Sequence, residues 1–512
     1  MDRLQEVKNS ISCGEKNANN LDAIEYLLQV WFDSKASQRD TEEATESSTS
    51  CDASLNSYVK TDRLDVNQPM FLTTKSSVQS LLGRIHTHAD RCQSAYQWHS
   101  RSNHGHAVIT SLRCRNGHTT SWSSSSYLPN REFLVNHRFA FAYFACGMIP
   151  SQYQRLAEGA NMGVIGHSRM QSITSRTALA VQSEKENSCT TAILTEIASY
   201  EDLSNGVEIM TDARHGWRRN SKDSDVVCIG QKTHQVLHNV HVSTEMEPSP
   251  QKHEIYGTRI LYDHLDNFQN TGVHVAVHAH DSNASVNKYV REERPGTVNQ
   301  NDTWHGANSA KKAVVAVSSG PRYKHGDTWH EELADKPASV RIHFQWSMRN
   351  CDGNPELLLQ YLDNIVEHYA NNHAACHPTS RCRTDANYVP SKVLVRNARA
   401  VELLRKAIRS TIVYKQPANY CRAQDTFYVE SFNNTLNIWH DKRINFMEMQ
   451  FKMRTNWAIL HWNENVDRPF TSIWEGPAHN AQGHGVTKKV LSPCTYVYRD
   501  TVWNTYMGYI FE

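Results

Sequence analysis

Three carboxylates offer the strongest chemistry in this sequence. Asp281 closes VHVAVHAHDSN, where Val273, Val275, Val277 and Ala279 alternate as on a strand before the turn residues Ser282 and Asn283. Asp212 ends a second strand-like run, VEIMTD. Glu430 lies in TFYVESFNNTLNIWHDKR, where Tyr428, Phe432, Leu436 and Trp439 recur at helical spacing and leave Glu430, Asn434, Asn437 and Asp441 on another face. Two acids on strand tips and a third on a later helix can bind two hard divalent cations, Mg²⁺ or Mn²⁺, about 3.5 to 4 Å apart, which hold the attacking and leaving oxygens of an in-line phosphoryl displacement. The chain carries 53 acidic residues, so a triple of this kind also arises from scattered surface acids and spacing alone does not decide. After Asp281, a helical pattern (Val286, Tyr289, Val290) breaks at Pro295 and Gly296, and an extended run from Thr297 to Asn301 delivers Asp302 and His305. Strand, helix and strand thus bring these groups to carboxyl ends, where open α/β sheets keep their sites.

The elements that must position the acids follow from the same patterns. Val207 to Asp212 reads as the first strand, Val226 to Ile229 and Gln235 to His241 as a hairpin, and Gln251 to Phe268 as a crossover helix that brings the Asp281 strand beside the Asp212 strand. This is the arrangement of an RNase H-like nucleic-acid-cutting site. Arg214, Arg218, Arg219 and Lys222 follow Asp212 at once and can hold DNA phosphates, although a solvated turn carries the same charges. His274, His278 and His280 share one strand face, which admits a rival reading as a zinc hydrolase, or else as hydrogen-bonded core histidines.

Two stretches crowd Cys and His. From Leu81 to Asn130, Cys92, Cys114 and His118 are the candidate zinc ligands, with Cys92 lacking a partner three residues on. In a second stretch, four of His368, His373, Cys376, His377 and Cys382 can hold a structural zinc. This cluster falls within the long interval between His305 and Glu430, where helical patterns at Ser309 to Val317, Val340 to Arg349 and Pro355 to His373 predict a helical insertion.

With 512 residues and 39% hydrophobic content, the chain can build several cores. A net charge of +1 provides no global basic field, so DNA binding must rest on local patches. The longest apolar stretch, FAFAYFACGMI, is too short to span a bilayer and reads as a buried helix, so no membrane partner is expected. The twelve scattered cysteines fit a reducing, intracellular setting with thiols free or on zinc. The expected fold class is α/β, an RNase H-like mixed sheet interrupted by a large helical insertion domain, with a small Cys/His-rich N-terminal element. Its parts are a polar N-terminal segment (1–65) with an amphipathic patch at Leu21 to Trp31 and a Ser/Thr/Glu-rich linker, a zinc-ribbon-like element (66–130), helical support (131–205), the first part of the core (206–305), the insertion (306–424), the core's final helix (425–470) and a tail (471–512) to which no role is assigned.

The residues around the acids match more than spacing. TDARHG, HAHDSN, QNDTWHGANSAKK, RNCDGNPELL and VESFNNTLNIWHDKRINF resemble the cut-and-paste DNA transposases with an Asp-Asp-Glu site, most closely the Kolobok superfamily, over about Cys92 to Asp467. Asp302 and His305 resemble the acid, two residues, histidine motif that Kolobok shares with the Mutator, hAT and Transib groups, and CRNGHTTSW resembles one knuckle of a zinc-ribbon-like element preceding the catalytic domain in this family. The resemblance implies a Mg²⁺- or Mn²⁺-dependent strand cleavage and strand transfer on double-stranded DNA in the nucleus, by a homo-oligomer assembled on DNA. Asp212, Asp281 and Glu430 would bind the metal, while Asp302 and His305 steady the site or the strand end. The alternative is a domesticated or decayed transposase that binds DNA or chromatin without cutting. All three acids being present favours the first. No THAP-type finger, which Kolobok proteins often carry, is found at residues 1–65, and this favours the second.

Overall fold

The computed structural model describes residues 68–201, 206–217, 221–270, 272–476 and 486–512. The amphipathic patch and linker expected before residue 65, and Arg218 and Arg219, lie outside the described residues. From Met70 onward the chain forms one compact unit.

The described chain opens with a helix, α1 (Lys75–Ala89), started by the Thr74 side chain accepting from Ser77 N, and a three-stranded antiparallel sheet of β1 (Gln97–His104), β2 (Ala107–Arg113) and β3 (Thr119–Ser123). Three helices follow: α2 (Leu134–Ala145), α3 (Pro150–Gly159) and the 32-residue α4 (His167–Ala198). The apolar run expected as a buried helix falls largely in α2, with Phe141, Tyr143 and Phe144 all buried.

The central five-stranded sheet comprises β4 (Val207–His215), β5 (Asp223–Gly230), β6 (Val236–Ser243), β7 (Val275–His280) and β8 (Val298–Asn301), in the order β6-β5-β4-β7-β8. β5 is antiparallel to both neighbours, whereas β4, β7 and β8 run parallel. The β6 to β7 crossover is α5 (His253–Asp266), and α6 (Ala284–Glu293) joins β7 to β8. Both faces of the sheet are covered, which is why β5 carries an unbroken apolar run from Val226 to Ile229. Val226 and Cys228 pack with Leu261 and Leu265 of α5 on one face; Val227 and Ile229 pack on the other with Val429, Phe432 and Trp457. A Cβ on Gly257 would lie 2.4 Å from Val226 Cγ2, so this glycine lets α5 press close to β5 and fixes the height of its first turn.

Between the sheet and the helix bearing Glu430 stands a separate helical cluster: α7 (Thr303–Ser318), α8 (Pro337–Arg349), α9 (Pro355–Tyr369) and α10 (Ala398–Ser410). Ala310, Val314, Phe344, Leu358, Leu362 and Leu404 form its core. The helix expected from Pro355 to His373 ends at Tyr369, because Asn371 takes a positive φ of 67°. The chain returns to the sheet with α11 (Phe427–Thr435), whose regular turns tighten into a 3₁₀ turn at Leu436–Ile438, and α12 (Glu448–Asn465).

The C-terminal stretch, to which the sequence assigned no role, forms regular elements. A hairpin of β9 (Phe470–Gly476) and β10 (Val486–Leu491) leads to α13 (Val497–Phe511), which buries Tyr498, Val502, Tyr506 and Ile510 at steps of four and packs on α4.

Candidate active site and Cys/His clusters

The parallel register of β4 and β7 pairs Thr211 with His280, so Asp212 and Asp281, each one residue further on, sit at neighbouring positions at the carboxyl edge of β7. β4 does not end at Asp212 as expected from sequence; it runs on to His215, held by β5 alone. Asp212 accepts from Ala213 N at 2.7 Å and from Asn433 Nδ2, on α11, at 2.8 Å. Burial, with the charges of Asp281 and Glu430 adding, raises its pKa to about 7, partly offset by Lys442. Burial also raises Asp281, with Asp302 and Glu430 adding and His305 and the Thr426 hydroxyl opposing.

Glu430 stands in the first turn of α11, half exposed. His305 Nε2 lies 3.2 Å from Glu430 Oε1 and 3.5 Å from Asp281 Oδ2, so the two carboxylates face each other across one imidazole. Asp302 has a different place. It is buried and caps α7, with Oδ1 accepting from His305 N at 2.6 Å and Oδ2 from Thr426 N at 2.8 Å and Thr426 Oγ1 at 3.0 Å. Both oxygens of Asp302 are thus committed to holding His305 and Thr426. Thr426 Oγ1 also lies 3.2 Å from Asp281 Oδ1.

Glu254 was missed in the sequence. It occupies the first turn of α5, where an acid ordinarily does no more than complement the helix dipole. Its Oε2 accepts from Asn283 Nδ2 at 2.7 Å, while its buried Oε1 has no hydrogen-bond partner among the described residues. Burial, with Asp212 and Asp281 adding, raises its pKa to about 7 despite the Asn283 bond. The signal available was topological: a helix that follows β6 must start at the end of the sheet where β4 and β7 finish.

Of the basic residues expected to touch phosphate, Arg214 is corrected. Because β4 continues past Asp212, its side chain turns inward, is buried, and donates to Asn437 Oδ1 at 2.8 Å and to His440 O at 2.6 Å. Lys222 is exposed. Beside Asp281 opens a cleft of about 960 Å³ lined by Ser282, Asn287, Arg291, Lys415 and Asn419 among others.

The strand histidines do not form a metal site. His278 is enclosed, 2.7 Å from Thr211 Oγ1 and 3.3 Å from Tyr262 OH; His280 meets Asn299 at 3.0 Å; and His274 is exposed.

Two Cys/His quartets do converge, each with its ligand atoms within 4.8 Å of one another. In the first, His88 joins Cys92, Cys114 and His118. Cys114 Sγ is 3.5 Å from His118 Nδ1, Asn116 Nδ2 donates to Cys92 Sγ at 3.2 Å, and buried His88 Nε2 has no hydrogen-bond partner among the described residues. His88 lies one helical turn before Cys92, at the end of α1, so the partner of Cys92 precedes it and the paired-cysteine pattern of a ribbon does not apply. The second quartet is His368, His373, Cys376 and Cys382. His377 is not part of it: its Nδ1 meets Thr379 Oγ1 at 2.8 Å and its ring packs edge-on against Trp346.

Residues 71–245 match a family model described as Mutator-like transposase. The matched span covers the small sheet, α2 to α4 and β4 to β6, including Asp212. The match makes this stretch of the chain similar to a Mutator-like transposase. No curated protein matches the sequence. No helix among the described residues is long and apolar enough to cross a membrane.

Proposed function

We propose that this chain is a cut-and-paste DNA transposase of Asp-Asp-Glu type, with an RNase H-like catalytic core, closest to the Kolobok group, acting in the nucleus as a homo-oligomer on double-stranded DNA. The observation that carries the reading is the meeting of three chain segments at one sheet edge: Asp212 and Asp281 on adjacent parallel strands, and α11 reaching both, through Asn433 to Asp212 and through the shared His305 to Asp281. The strand order 3-2-1-4-5 within this sheet supports the RNase H-like assignment, and the Mutator-like match supports the transposase class.

The donor set fits Mg²⁺ or Mn²⁺. Asp212, Asp281 and Glu430 are hard oxygen ligands, and burial, with neighbouring carboxylates adding, raises the pKa values of Asp212 and Asp281, a cost that a divalent cation relieves. When bound, such ions supply Lewis acidity and an activated water for phosphodiester hydrolysis. The chain's own residues do the positioning. Asn433 orients Asp212, Thr426 and Asp302 fix the height of Asp281 and the entry of α11, and His305 bridges Asp281 and Glu430, where it can hold a proton between them. The Asn283 and Asp302 caps place the amino ends of α6 and α7 at the same edge, and their partial positive charge favours an approaching phosphate. The cleft with Arg291 and Lys415 provides a path for the DNA backbone away from Asp281. At the other end, His88, Cys92, Cys114 and His118 are proposed to hold a structural zinc that fastens α1 to the small sheet.

The test is strand cleavage by the purified chain on DNA carrying the repeats that flank its gene, with Mg²⁺ or Mn²⁺ added after chelation. Metal-dependent nicking at the repeat ends is expected. DNA binding without any cleavage in either metal would favour the domesticated alternative.

A further inference from the structure

Residues 370–397, between α9 and α10, are not held by packing along most of their length. Only Cys376 and Val395 are buried there, and the one regular element is a single helical turn at Arg381–Thr384. Irregular stretches of this length inside a compact unit are uncommon unless something other than a core ties them down. The far end is tied by hydrogen bonds: Val393 N donates to Asp335 Oδ2 at 2.9 Å, Lys336 Nζ to Val393 O at 2.6 Å, and Arg396 N to Glu332 Oε2 at 2.8 Å. The near end converges instead on a sulfur.

Around Cys376 Sγ stand His368 Nδ1 at 3.5 Å, His373 Nδ1 at 3.8 Å, and Asn364 Nδ2, which donates at 3.4 Å; the two Nδ1 atoms are 3.2 Å apart, and Cys382 completes the group. A hydrogen-bond network explains this poorly, because one thiol proton cannot serve so many neighbours. A tetrahedral ion explains it well. With Zn–N of about 2.0 to 2.1 Å and Zn–S of about 2.3 Å, the edges of the tetrahedron are about 3.3 Å between nitrogens and about 3.6 Å between nitrogen and sulfur. Two thiolates with two imidazoles are soft donors that select Zn²⁺ over Mg²⁺, and Asn364 supplies the amide that an outer neighbour gives to a zinc-bound thiolate.

We infer that His368, His373, Cys376 and Cys382 bind one Zn²⁺, which locks residues 370–392 onto the end of α9. The site is separate from the carboxylate centre and its role is structural. His377, the neighbour that sequence alone could not exclude, is the internal control.

The experiment uses the full chain, purified under reducing conditions, with zinc measured by mass spectrometry. The Cys376→Ser, Cys382→Ser double variant should hold one zinc per chain fewer than wild type, and His377→Ala should hold as much. Because a misfolded variant also loses metal, a second measurement leaves these four residues intact. Cys92→Ser, Cys114→Ser protein, loaded with Co²⁺ alone, should show the charge-transfer absorption of thiolate-bound cobalt. Unchanged zinc in the first variant, or no thiolate absorption in the second, would overturn the assignment.

Discussion

Asn433, one turn beyond Glu430 on α11, donates its side-chain amide to Asp212 Oδ2 at 2.8 Å, so the helix that carries the third acid also orients the first. Removing that donor leaves a partly buried carboxylate oxygen without its partner and free to turn away from Asp281. Asn433→Leu is therefore expected to raise the Mg²⁺ concentration for half-maximal cleavage by about 10- to 100-fold, the usual cost of losing an outer neighbour of a metal ligand. An unchanged Mg²⁺ dependence would show that Asp212 is held without it.

Arg214 ties the far end of the same helical region to β4 through Asn437 and the His440 carbonyl. Arg214→Met should lower stability by about 2 to 4 kcal/mol, since it strands buried acceptors, read as a fall in unfolding midpoint. The salt dependence of DNA binding should not change. If the residue contacted phosphate, the slope of log affinity against log salt would fall by about one.

The raised pKa values of Asp212 and Glu254, both about 7, make the metal-free protein sensitive to pH. A carboxyl whose folded pKa lies above its unfolded value binds its proton more tightly in the fold. Stability from this source is present below about pH 4 and is lost as pH rises toward 7. Divalent cation should restore it. The Mg²⁺-induced rise in unfolding temperature should therefore be larger at pH 8 than at pH 5.5, and Asp212→Asn should remove most of the difference. Equal Mg²⁺ shifts at both pH values would detach these carboxyls from metal binding.

The sheet was legible because its signals are local. The alternation leading to Asp281 and the strand-like run Val207 to Asp212 need no partner to be recognised, and the apolar stripe of α11 placed Glu430 on another face. Residues defined by their partners were not legible. His88 is a ligand candidate only once α1 folds back on the β2–β3 hairpin, and Thr426 bridges Asp281 and Asp302 only once α7 and α11 have met. Arg214 was misread because a strand continuing on one neighbour alone looks, in sequence, like a strand that has ended. The four-step spacing of Tyr498, Val502, Tyr506 and Ile510 was present in the sequence, yet Trp503, Met507 and Tyr509 between them blur the buried stripe.

The most direct measurement is cleavage by wild type against Glu430→Gln on the same repeat-bearing DNA, with affinity measured in parallel. The substitution keeps the size of the side chain and nearly its helix propensity while removing one negative charge from the half-exposed position that faces His305. Metal-dependent cleavage should fall on the order of 10³-fold or more, while DNA affinity stays within about twofold, because phosphate contacts come from Arg and Lys elsewhere. A variant that cuts as well as wild type would contradict the account, leaving α11 a structural helix and Asp212 and Asp281 without their third partner.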